Sequence, residues 1–419
     1  MFTKNKIIFW SIASLLTLVI LILGWRFYYL NLRGVGPAIN KSPIDITTII
    51  PSADTITDNK TTITSTTPEI LESTPLKLPA GFSIGIFAKN LPGARVMIFD
   101  SIRNIWLSQT RQGTISKLIL DNGRLVSQKV VISGLKNPHG LAFDPQDSNI
   151  LYIAEETKIS RVKITDGLPG FLEKIIDLPV KGNHFTRSLL FSLAGRLYVS
   201  IGSTCNVCLE NDERYAAIYS LNKDGSDFKQ VARGLRNSVF MIWDNQRQAI
   251  WATEMGRDLL GDNTPPDEIN IISTQASSTL NFGWPICYGQ NIHDTVFDKN
   301  TYFRNPCQEP FEKASQIDLQ AHSAPLGLAF TPNSWPTEYK NNLLVAFHGS
   351  WNRSVATGYK VVRLILDDAG KSIKQEDFIS GWLSGSSAFG RPVDVIFDQV
   401  GNLYISDDKA GVIYKVFYK

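Results

Sequence analysis

One short pattern recurs six times along this chain and constrains its fold more than any other feature. Polar residues lead into an apolar strand, and a turn then leads into a second strand with alternating apolar residues. In the fullest copy, which runs from Gly182 to Ser200, the predicted strands cover 188–191 and 197–201. Each copy has an aromatic anchor in its first strand, and the anchors are Phe99, Phe143, Phe191, Trp243, Phe330 and Phe397. Such a repeat indicates one structural unit copied along the chain.

The spacing of the anchors indicates which unit is repeated. Successive anchors lie 44, 48, 52, 87 and 67 residues apart. Periods in the forties are typical of the four-stranded blades of a β-propeller, and the longer steps predict insertions. We therefore predict an all-β domain with the architecture of a six-bladed β-propeller. A β-sandwich would also contain many short strands, but it would not repeat one sequence pattern six times.

The stretch Gly81–Ala88 precedes the first copy and has the pattern of a strand. A propeller must close its ring, and an N-terminal strand can do so by completing the last blade. We expect this strand to pair with the strand that contains Val416. A position within the first blade is the alternative.

The N-terminal part of the chain differs from the rest. Residues 7–25 are almost wholly apolar, and nineteen helical residues span roughly 28 Å, close to the hydrocarbon core of a bilayer. We predict a membrane anchor over 1–33 (a transmembrane helix), a flexible Thr/Ser-rich stalk over 34–75 and the propeller over 76–419, outside the cytoplasm. A cleaved signal peptide is the alternative for the apolar segment. The net charge of +3 and the lack of a long basic run argue against a nucleic-acid partner.

The chain has four cysteines, and an even number fits disulfides in an oxidising compartment. We predict the bridges Cys205–Cys208 and Cys287–Cys307. Cys205 and Cys208 could instead form a redox pair or half of a zinc site. A redox CxxC usually opens a helix, however, and the sequence offers no second CxxC to complete a zinc site.

The repeat also gathers polar residues that are far apart in sequence. Loops that lead into the innermost strands of a propeller meet at one mouth of its central channel. The polar residues at these positions are His139, His184, Arg187, Arg236, Asn237, His322 and Arg391. The mouth is therefore the candidate binding site, although a single His at such a position is more often structural, as we expect for His139 and His322.

Six segments in register resemble a known family. They are Asn183–Leu189, Gly234–Asn237, Glu254–Arg257, Pro266–Asn270, Asn281–Pro285 and Gly390–Asp394. Together they resemble the soluble glucose and sorbosone dehydrogenases, six-bladed propellers that use pyrroloquinoline quinone (PQQ), over residues 75 to 419. The segments 202–208 and 346–353 are most similar to the sorbosone branch. The resemblance implies a sugar dehydrogenase that oxidises an aldose or a sorbosone-like sugar and passes the electrons to an external acceptor.

The resemblance also implies roles for individual residues. His184 matches the general base, and Arg391 stands where a cofactor carboxylate is paired. The other matches are Arg236 and Asn237 for contacts with the quinone, Gly256 and Arg257 for main-chain carbonyls that hold calcium, and Arg353 for a further basic residue at the cofactor. Two positions depart from the glucose-oxidising branch: Asn183 replaces a carboxylate before the base, and Arg257 replaces a proline.

These residue types suit the implied chemistry. A neutral imidazole can accept the proton of a sugar hydroxyl while hydride passes to a quinone. A calcium ion and an arginine would stabilise the negative charge that develops there. Two other functions stay open: a non-catalytic propeller that binds a glycan or a protein at its mouth, and a hydrolase of the propeller lactonase kind. Four acids in the fourth-blade insertion suggest either a second calcium site or, as we expect, a solvated loop with a few capping residues: Asp258, Asp262, Asp267 and Glu268.

Overall fold

The computed structural model describes residues 2–27, 75–309 and 312–418. Residues 2–27 contain one α-helix, α1 (Phe2–Phe27). No helix within these described ranges has both the length and the apolarity that a membrane crossing requires. The structure therefore does not bear out the crossing predicted for residues 7–25, and the predicted stalk lies almost wholly outside the described residues.

The remaining elements form six four-stranded antiparallel blades, which confirms the predicted architecture. The strand β1 (Phe82–Ala88) precedes the first blade. Blade 1 contains β2 (Ala94–Phe99), β3 (Ile105–Gln109), β4 (Thr114–Asp121) and β5 (Arg124–Ile132), with a 3-10 turn at Thr110–Gln112. Blade 2 contains β6 (Leu141–Phe143), β7 (Ile150–Ala154), β8 (Lys158–Thr165) and β9 (Leu168–Asp177). Blade 3 contains β10 (Arg187–Phe191), β11 (Leu197–Ile201), β12 (Ala217–Leu221) and β13 (Lys229–Arg233).

Blade 4 begins with β14 (Ser238–Asp244), β15 (Ala249–Glu254) and β16 (Asp267–Ser273). An insertion then carries β17 (Leu280–Asn281), β18 (Cys287–Tyr288) and β19 (Ile292–His293) before β20 (Ile317–Leu319) completes the blade. Blade 5 contains β21 (Pro325–Phe330), β22 (Asn342–Phe347), β23 (Lys360–Leu366) and β24 (Ser372–Ile379), with a 3-10 turn at Thr337–Tyr339. A small hairpin of β25 (Leu383–Ser384) and β26 (Ser387–Ala388) leads to β27 (Pro392–Phe397), β28 (Leu403–Asp407) and β29 (Val412–Tyr418) of blade 6.

The N-terminal strand closes the ring. β1 is the outermost strand of blade 6 and pairs antiparallel with β29, where Ile84 lies opposite Val416. The ring of Phe82 packs edge-on against Trp335 of blade 5 at 4.7 Å and against Phe378 of β24 at 5.0 Å. The predicted closure is therefore confirmed, and it joins the start of the domain to its end.

The aromatic anchors explain why the sequence repeats. Each anchor contacts an aromatic ring of the preceding blade, and in five cases that ring comes from the blade's second strand. The six contacts are Phe99–Tyr404, Phe143–Trp106, Phe191–Tyr152, Trp243–Tyr198, Phe330–Trp251 and Phe397–Trp335, with ring centroids 5.1–6.4 Å apart. Aromatic pairs bury large areas and favour edge-on or offset geometry. The residues of the repeated sequence pattern therefore form the interface between neighbouring blades.

The insertion of blade 4 brings neighbouring parts of the fold together. Its strand β17 runs parallel to β13 and adds a fifth strand to blade 3. The bridge Cys287–Cys307 closes the insertion, and Cys205–Cys208 closes a short loop after β11, so both predicted disulfides are confirmed. The solvated loop predicted for four acids is wrong for two of them: Asp267 and Glu268 are buried in β16, whereas Asp258 and Asp262 are half-buried in the loop before it. The buried pair is satisfied by amide donors, since Asp267 accepts from two backbone amides and Glu268 from one backbone amide and the Asn270 side chain.

Candidate functional site

One large cavity opens at the mouth of the propeller, and of the polar residues predicted there only Arg391 lines it. Its volume is about 530 Å³, which is within the usual range for small-molecule sites. We call it the mouth cavity, which His348 also lines, and its charged lining residues are Arg95, Arg111, Arg391, Asp408 and Lys409. Four of these are basic and one is acidic, so the cavity suits a ligand with several negative charges.

Asp408 organises the basic side of the mouth cavity. Its carboxylate lies 3.0 Å from Arg95 Nη1 and 2.9 Å from His348 Nε2. Arg391 Nε donates to the His348 carbonyl at 3.1 Å, and the guanidinium lies 5.8 Å from the centre of the Tyr359 ring. Burial, and then the Arg391 charge, lowers the pKa of His348 to about 4. Burial acts to raise the pKa of Asp408, but His348 and Arg95 outweigh it and hold that pKa well below its usual range.

His184 lies on the blade 3 side of the same mouth, directly before two residues that line the mouth cavity, Phe185 and Thr186. Its Nδ1 lies 2.9 Å from both the carbonyl and the hydroxyl oxygen of Ser203. A carbonyl oxygen only accepts, so Nδ1 carries the hydrogen and the lone pair is on Nε2. Burial, and then Arg236, lowers the pKa of His184 to about 3. The imidazole is therefore neutral, with one nitrogen that can accept a proton.

Space around His184 is tight because Gly202 lies beside it. A Cβ at Gly202 would lie 2.6 Å from His184 Cβ and 2.7 Å from Asn237 Oδ1. The absence of a side chain there lets the predicted base and Asn237 approach one another. The backbone amide of Asn237 donates to Glu254 at 2.7 Å. The sequence prediction that His184 and Asn237 share a site is consistent with this geometry.

Arg236 is buried and bonded to protein atoms on every side. Its guanidinium donates to Asn206 O at 2.9 Å, to Asn206 Oδ1 at 3.0 Å and to Gly256 O at 3.0 Å. It also forms an ion pair with Asp258 at 3.1 Å. The structure therefore shows Arg236 as the centre of an internal network, and its predicted contact with the quinone stays a prediction.

The predicted calcium ligands lie beside this network. The Gly256 carbonyl accepts from Arg236, and a carbonyl oxygen keeps a second lone pair for another partner. Asp267 accepts from the Gly256 amide at 2.9 Å, and burial raises the pKa of Asp267 to about 7 and that of Glu254 to about 8. The surroundings thus hold acidic groups whose ionised form a cation would stabilise, so the segment fits a calcium ion. The side chain of Arg257 points elsewhere and pairs with Asp294 at 2.9 Å.

Arg353 is not among the residues that line the mouth cavity, and its predicted role at the cofactor stays a prediction. Its guanidinium donates to Asp262 O at 2.6 Å and to Asn263 Oδ1 at 3.2 Å. His322 holds the same loop, which joins β15 to β16, by contacting Gly261 O at 2.8 Å. Arg353 and His322 therefore fix the segment 261–263. Within the described residues, the only groups of three side chains placed to hold a metal contain disulfide cysteines, which gives no support to a second calcium site.

Two other predicted residues are structural. His139 is fully buried, with its ring nitrogens 3.5 Å from Arg95 Nη2 and 3.3 Å from Ser188 Oγ. Arg187 is buried and donates to the carbonyls of His184 at 2.8 Å and Pro179 at 3.0 Å. Arg187 therefore fixes the backbone that carries the proposed base. The structural interpretation of His139 and His322 is confirmed.

Among the charged and imidazole side chains of the mouth cavity, sequence reasoning predicted only Arg391 and missed Arg95, Arg111, His348, Asp408 and Lys409. One signal was present, because Arg95, His139 and Arg187 each stand four residues before their aromatic anchors. His348 and Asp408 follow the second strands of blades 5 and 6, and the repeated sequence pattern ends before those positions. The donor set of the cavity fits a quinone with several carboxylates, because Arg95, Arg391 and their basic neighbours can pair with anionic groups.

Known proteins resemble this chain over the propeller. It is 33% identical over 363 residues to an uncharacterized protein of Borreliella burgdorferi, covering 82% of this chain and 91% of that protein. It is 22% identical over 408 residues to the pyrroloquinoline quinone-dependent pyranose dehydrogenase of Coprinopsis cinerea, covering 80% of this chain. The match spans about half of that relative's length, 53%.

Solved structures share the fold. The calcium structure of a Trichoderma reesei carbohydrate-active enzyme of family AA12 superposes with a TM-score of 0.71 at 20% identity, over 82% of this chain and 97% of that one. The family model described as TrAA12-like matches residues 76–419, the range predicted for the propeller. The match confirms the predicted family and leaves the sorbosone branch unconfirmed. The chain therefore belongs to the TrAA12-like family, among the PQQ-dependent glucose and sugar dehydrogenases.

Proposed function

We propose that this oxidoreductase oxidises a hydroxyl of an aldose or related pyranose and transfers the electrons to pyrroloquinoline quinone at the mouth cavity. The observation that carries the proposal is His184, a neutral imidazole whose Nε2 keeps its lone pair beside a basic cavity. The pyranose dehydrogenase among the relatives supports the substrate class. The segments 202–208 and 346–353 suggest a sorbosone-like sugar as a more specific substrate.

The basic residues of the mouth cavity would hold the cofactor. Arg391 and Arg95 offer guanidinium groups that pair well with carboxylates, and Arg111 and Lys409 add positive charge at the rim. When bound, the quinone would accept the hydride that leaves the sugar carbon. Asp408 keeps Arg95 and His348 in place, which preserves the shape of this side before the cofactor arrives.

His184 would take the proton of the sugar hydroxyl at Nε2. The Nδ1 hydrogen, bonded to Ser203, keeps the ring in the tautomer that this step needs. A low pKa keeps the base neutral, although a weaker base has less driving force for the transfer. Negative charge on a bound cofactor would offset Arg236 and raise the basicity of His184.

We also propose calcium as a second bound group, held by the main-chain carbonyls of Gly256 and Arg257. Buried Asp267 and Glu254 close to this segment support the proposal, since a cation would stabilise their ionised forms. The solved structure described as the calcium structure of the Trichoderma reesei family AA12 enzyme supports calcium as a bound group, without indicating its ligands in this chain. The ion would supply positive charge where the oxidation places negative charge.

The location of the enzyme is a proposal too. Two disulfides in one domain support folding outside the cytoplasm, where thiols are oxidised. An external electron acceptor would then reoxidise the cofactor at the open mouth. Attachment to a membrane through the N-terminal segment stays a prediction from sequence.

Reconstitution tests the function directly. Purified protein is titrated with pyrroloquinoline quinone in the presence of calcium, and binding is followed by the change in quinone absorbance. The loaded protein should then reduce an artificial dye when aldoses and other pyranoses are supplied. If the protein binds no quinone, the dehydrogenase proposal is wrong, and a propeller that binds a glycan or protein at its mouth becomes the better account. If quinone binds but no sugar is oxidised, the proposed substrate class is wrong.

A further inference from the structure

We propose that Ser203 and Asn206, held by the Cys205–Cys208 disulfide, are positioning residues for His184 and Arg236, and that reduction of this disulfide disables the site. The inference rests on the proposed function, because it concerns the residues that would carry out the oxidation. It assigns a purpose to a loop that the reaction itself does not use. The loop lies directly after β11, on the blade 3 side of the mouth.

The first link runs from the disulfide loop to His184. The Ser203 hydroxyl donates to the Cys205 carbonyl at 2.7 Å, and its oxygen accepts from His184 Nδ1 at 2.9 Å. Ser203 is fully buried, so water cannot replace either partner easily. The position of the Cys205 carbonyl therefore orients the Ser203 hydroxyl. The hydroxyl helps to keep the hydrogen on Nδ1 and the lone pair on Nε2.

The second link runs from the same loop to Arg236. Asn206 lies between the two cysteines, and its backbone and side-chain oxygens accept from Arg236 at 2.9 and 3.0 Å. The Asn206 amide oxygen also accepts from Asp258 N at 2.7 Å, and its nitrogen donates to Asp258 O at 3.1 Å. One side chain thus holds Arg236 and its ion-pair partner together. Because Arg236 also donates to the Gly256 carbonyl, Asn206 indirectly fixes the proposed calcium segment.

The disulfide is what makes this loop rigid. Only two residues separate Cys205 from Cys208, so the bridge forces a tight turn that presents the Cys205 carbonyl and Asn206 inward. Thr204 adds a further tie, since its amide and hydroxyl both donate to Glu210, at 2.6 and 2.8 Å. If the bridge were opened, the Cys205 carbonyl and Asn206 would belong to a flexible four-residue segment, and their inward contacts would no longer be held in place.

The two disulfides differ in accessibility. Cys205 and Cys208 are half-buried, whereas Cys287 is 5% exposed and Cys307 is 1% exposed. A thiolate must reach a sulfur atom to exchange with it. A soluble dithiol should therefore open Cys205–Cys208 first. In that reaction two electrons and two protons pass from the dithiol to the bridge, which gives two cysteine thiols and a cyclic disulfide of the reagent.

The experiment treats the full chain with increasing concentrations of dithiothreitol and maps free thiols by alkylation and mass spectrometry. At the concentration that opens only Cys205–Cys208, two properties are measured. The first is the tautomer of His184, from two-bond nitrogen–proton correlation spectra of the imidazole, assigned with His184→Gln. The second is dye-coupled turnover of the protein after the dithiothreitol, which would itself reduce quinone and dye, has been removed without air and the protein has been loaded with quinone and calcium.

We expect reduction to convert the fixed Nδ1–H form of His184 into a tautomer mixture. Turnover should fall roughly tenfold to hundredfold, the scale that a small misplacement of a catalytic group costs. The double substitution Cys205→Ser with Cys208→Ser should reproduce both effects without reductant. Asn206→Ala should lower turnover similarly, and Asn211→Ala, the same change at an exposed asparagine of the following segment, should not.

The two readouts separate this inference from the proposed function. If the tautomer and the turnover stay within twofold of the untreated values after Cys205–Cys208 has opened fully, the inference is wrong while the function stands. A change in only one readout also contradicts it where both can be measured. If the protein shows no dehydrogenase activity at all, the proposed function has failed, and the tautomer measurement alone decides the positioning role.

Discussion

Replacing His184 by Gln removes the proposed base while keeping most of its contacts. The glutamine amide can still donate to the Ser203 carbonyl, which His184 Nδ1 contacts at 2.9 Å. Its remaining amide oxygen is a very weak base and cannot take the proton of a hydroxyl. Loss of a general base usually costs about 10²- to 10⁴-fold in turnover, or about 3–5 kcal/mol of transition-state stabilisation.

The structure indicates that no other imidazole among the described residues can take over. His139 is buried against Arg95 and Ser188, and His322 contacts the Gly261 carbonyl. His348 lines the mouth cavity but is engaged with Asp408 at 2.9 Å. We therefore expect a loss of about 10³-fold, within the range for an uncompensated base.

The pH dependence gives an independent check on the same residue. A base works in its deprotonated form, and burial, followed by Arg236, lowers the pKa of His184 to about 3 in the ligand-free protein. In the quinone-free protein the imidazole of His184 should therefore stay neutral between pH 8 and pH 5, as an NMR titration of the ring would show. Protonation of His184 in the quinone-free protein with a pKa near the ordinary histidine value would contradict the environment described for this ring.

The assay measures dye-coupled turnover over a sugar panel and quinone affinity by absorbance. The matched control is His293→Gln, since His293 lies in the blade 4 insertion and contacts Asp298 at 2.9 Å, away from the mouth. The control should keep turnover within twofold. If His184→Gln also keeps wild-type turnover while binding quinone normally, His184 is not the base and the proposed reaction mechanism is wrong.

Replacing Arg391 by Gln should weaken quinone binding at least tenfold, because it removes a cation from the mouth cavity; an unchanged dissociation constant would place the cofactor elsewhere. Replacing Cys287 and Cys307 by Ser should lower the free energy of unfolding in urea by about 3 kcal/mol, since the bridge joins residues 20 apart; equal stability would contradict this contribution. Burial raises the pKa of Glu254 to about 8 from 4.5, so its contribution to stability falls as pH rises from about 4.5 to 8. In denaturant titrations, the free energy of unfolding of Glu254→Gln should fall less over this pH range than that of the wild type, by about a few kcal/mol. A fall as steep as that of the wild type would refute this prediction. If residues 7–25 anchor the propeller outside the cytoplasm, protease added to intact spheroplasts should release it, and complete protection would exclude that location.

The sequence alone was sufficient for the architecture. The repeated sequence pattern places an aromatic anchor in each inner strand, and each anchor packs on the preceding blade. The ring centroids of Phe191 and Tyr152, for example, lie 5.2 Å apart. Because this interface is formed from two short segments in neighbouring repeats, its residues recur with the period of the blade. The same regularity located the closing strand and the mouth. Both disulfides were predictable because four cysteines left few pairings once an oxidising compartment was assumed.

The partners of the polar side chains were decided only by the tertiary structure. Arg95 and Asp408 stand 313 residues apart in sequence, and only closure of the ring brings them to 3.0 Å. Arg353 contacts Asp262 of the loop between β15 and β16, and Asp267 is buried within β16. A period in the sequence determines which residues reach the mouth. The pairing of each arginine with a carboxylate depends on loops and insertions that do not repeat. It also depends on burial, because a buried charged group requires a partner.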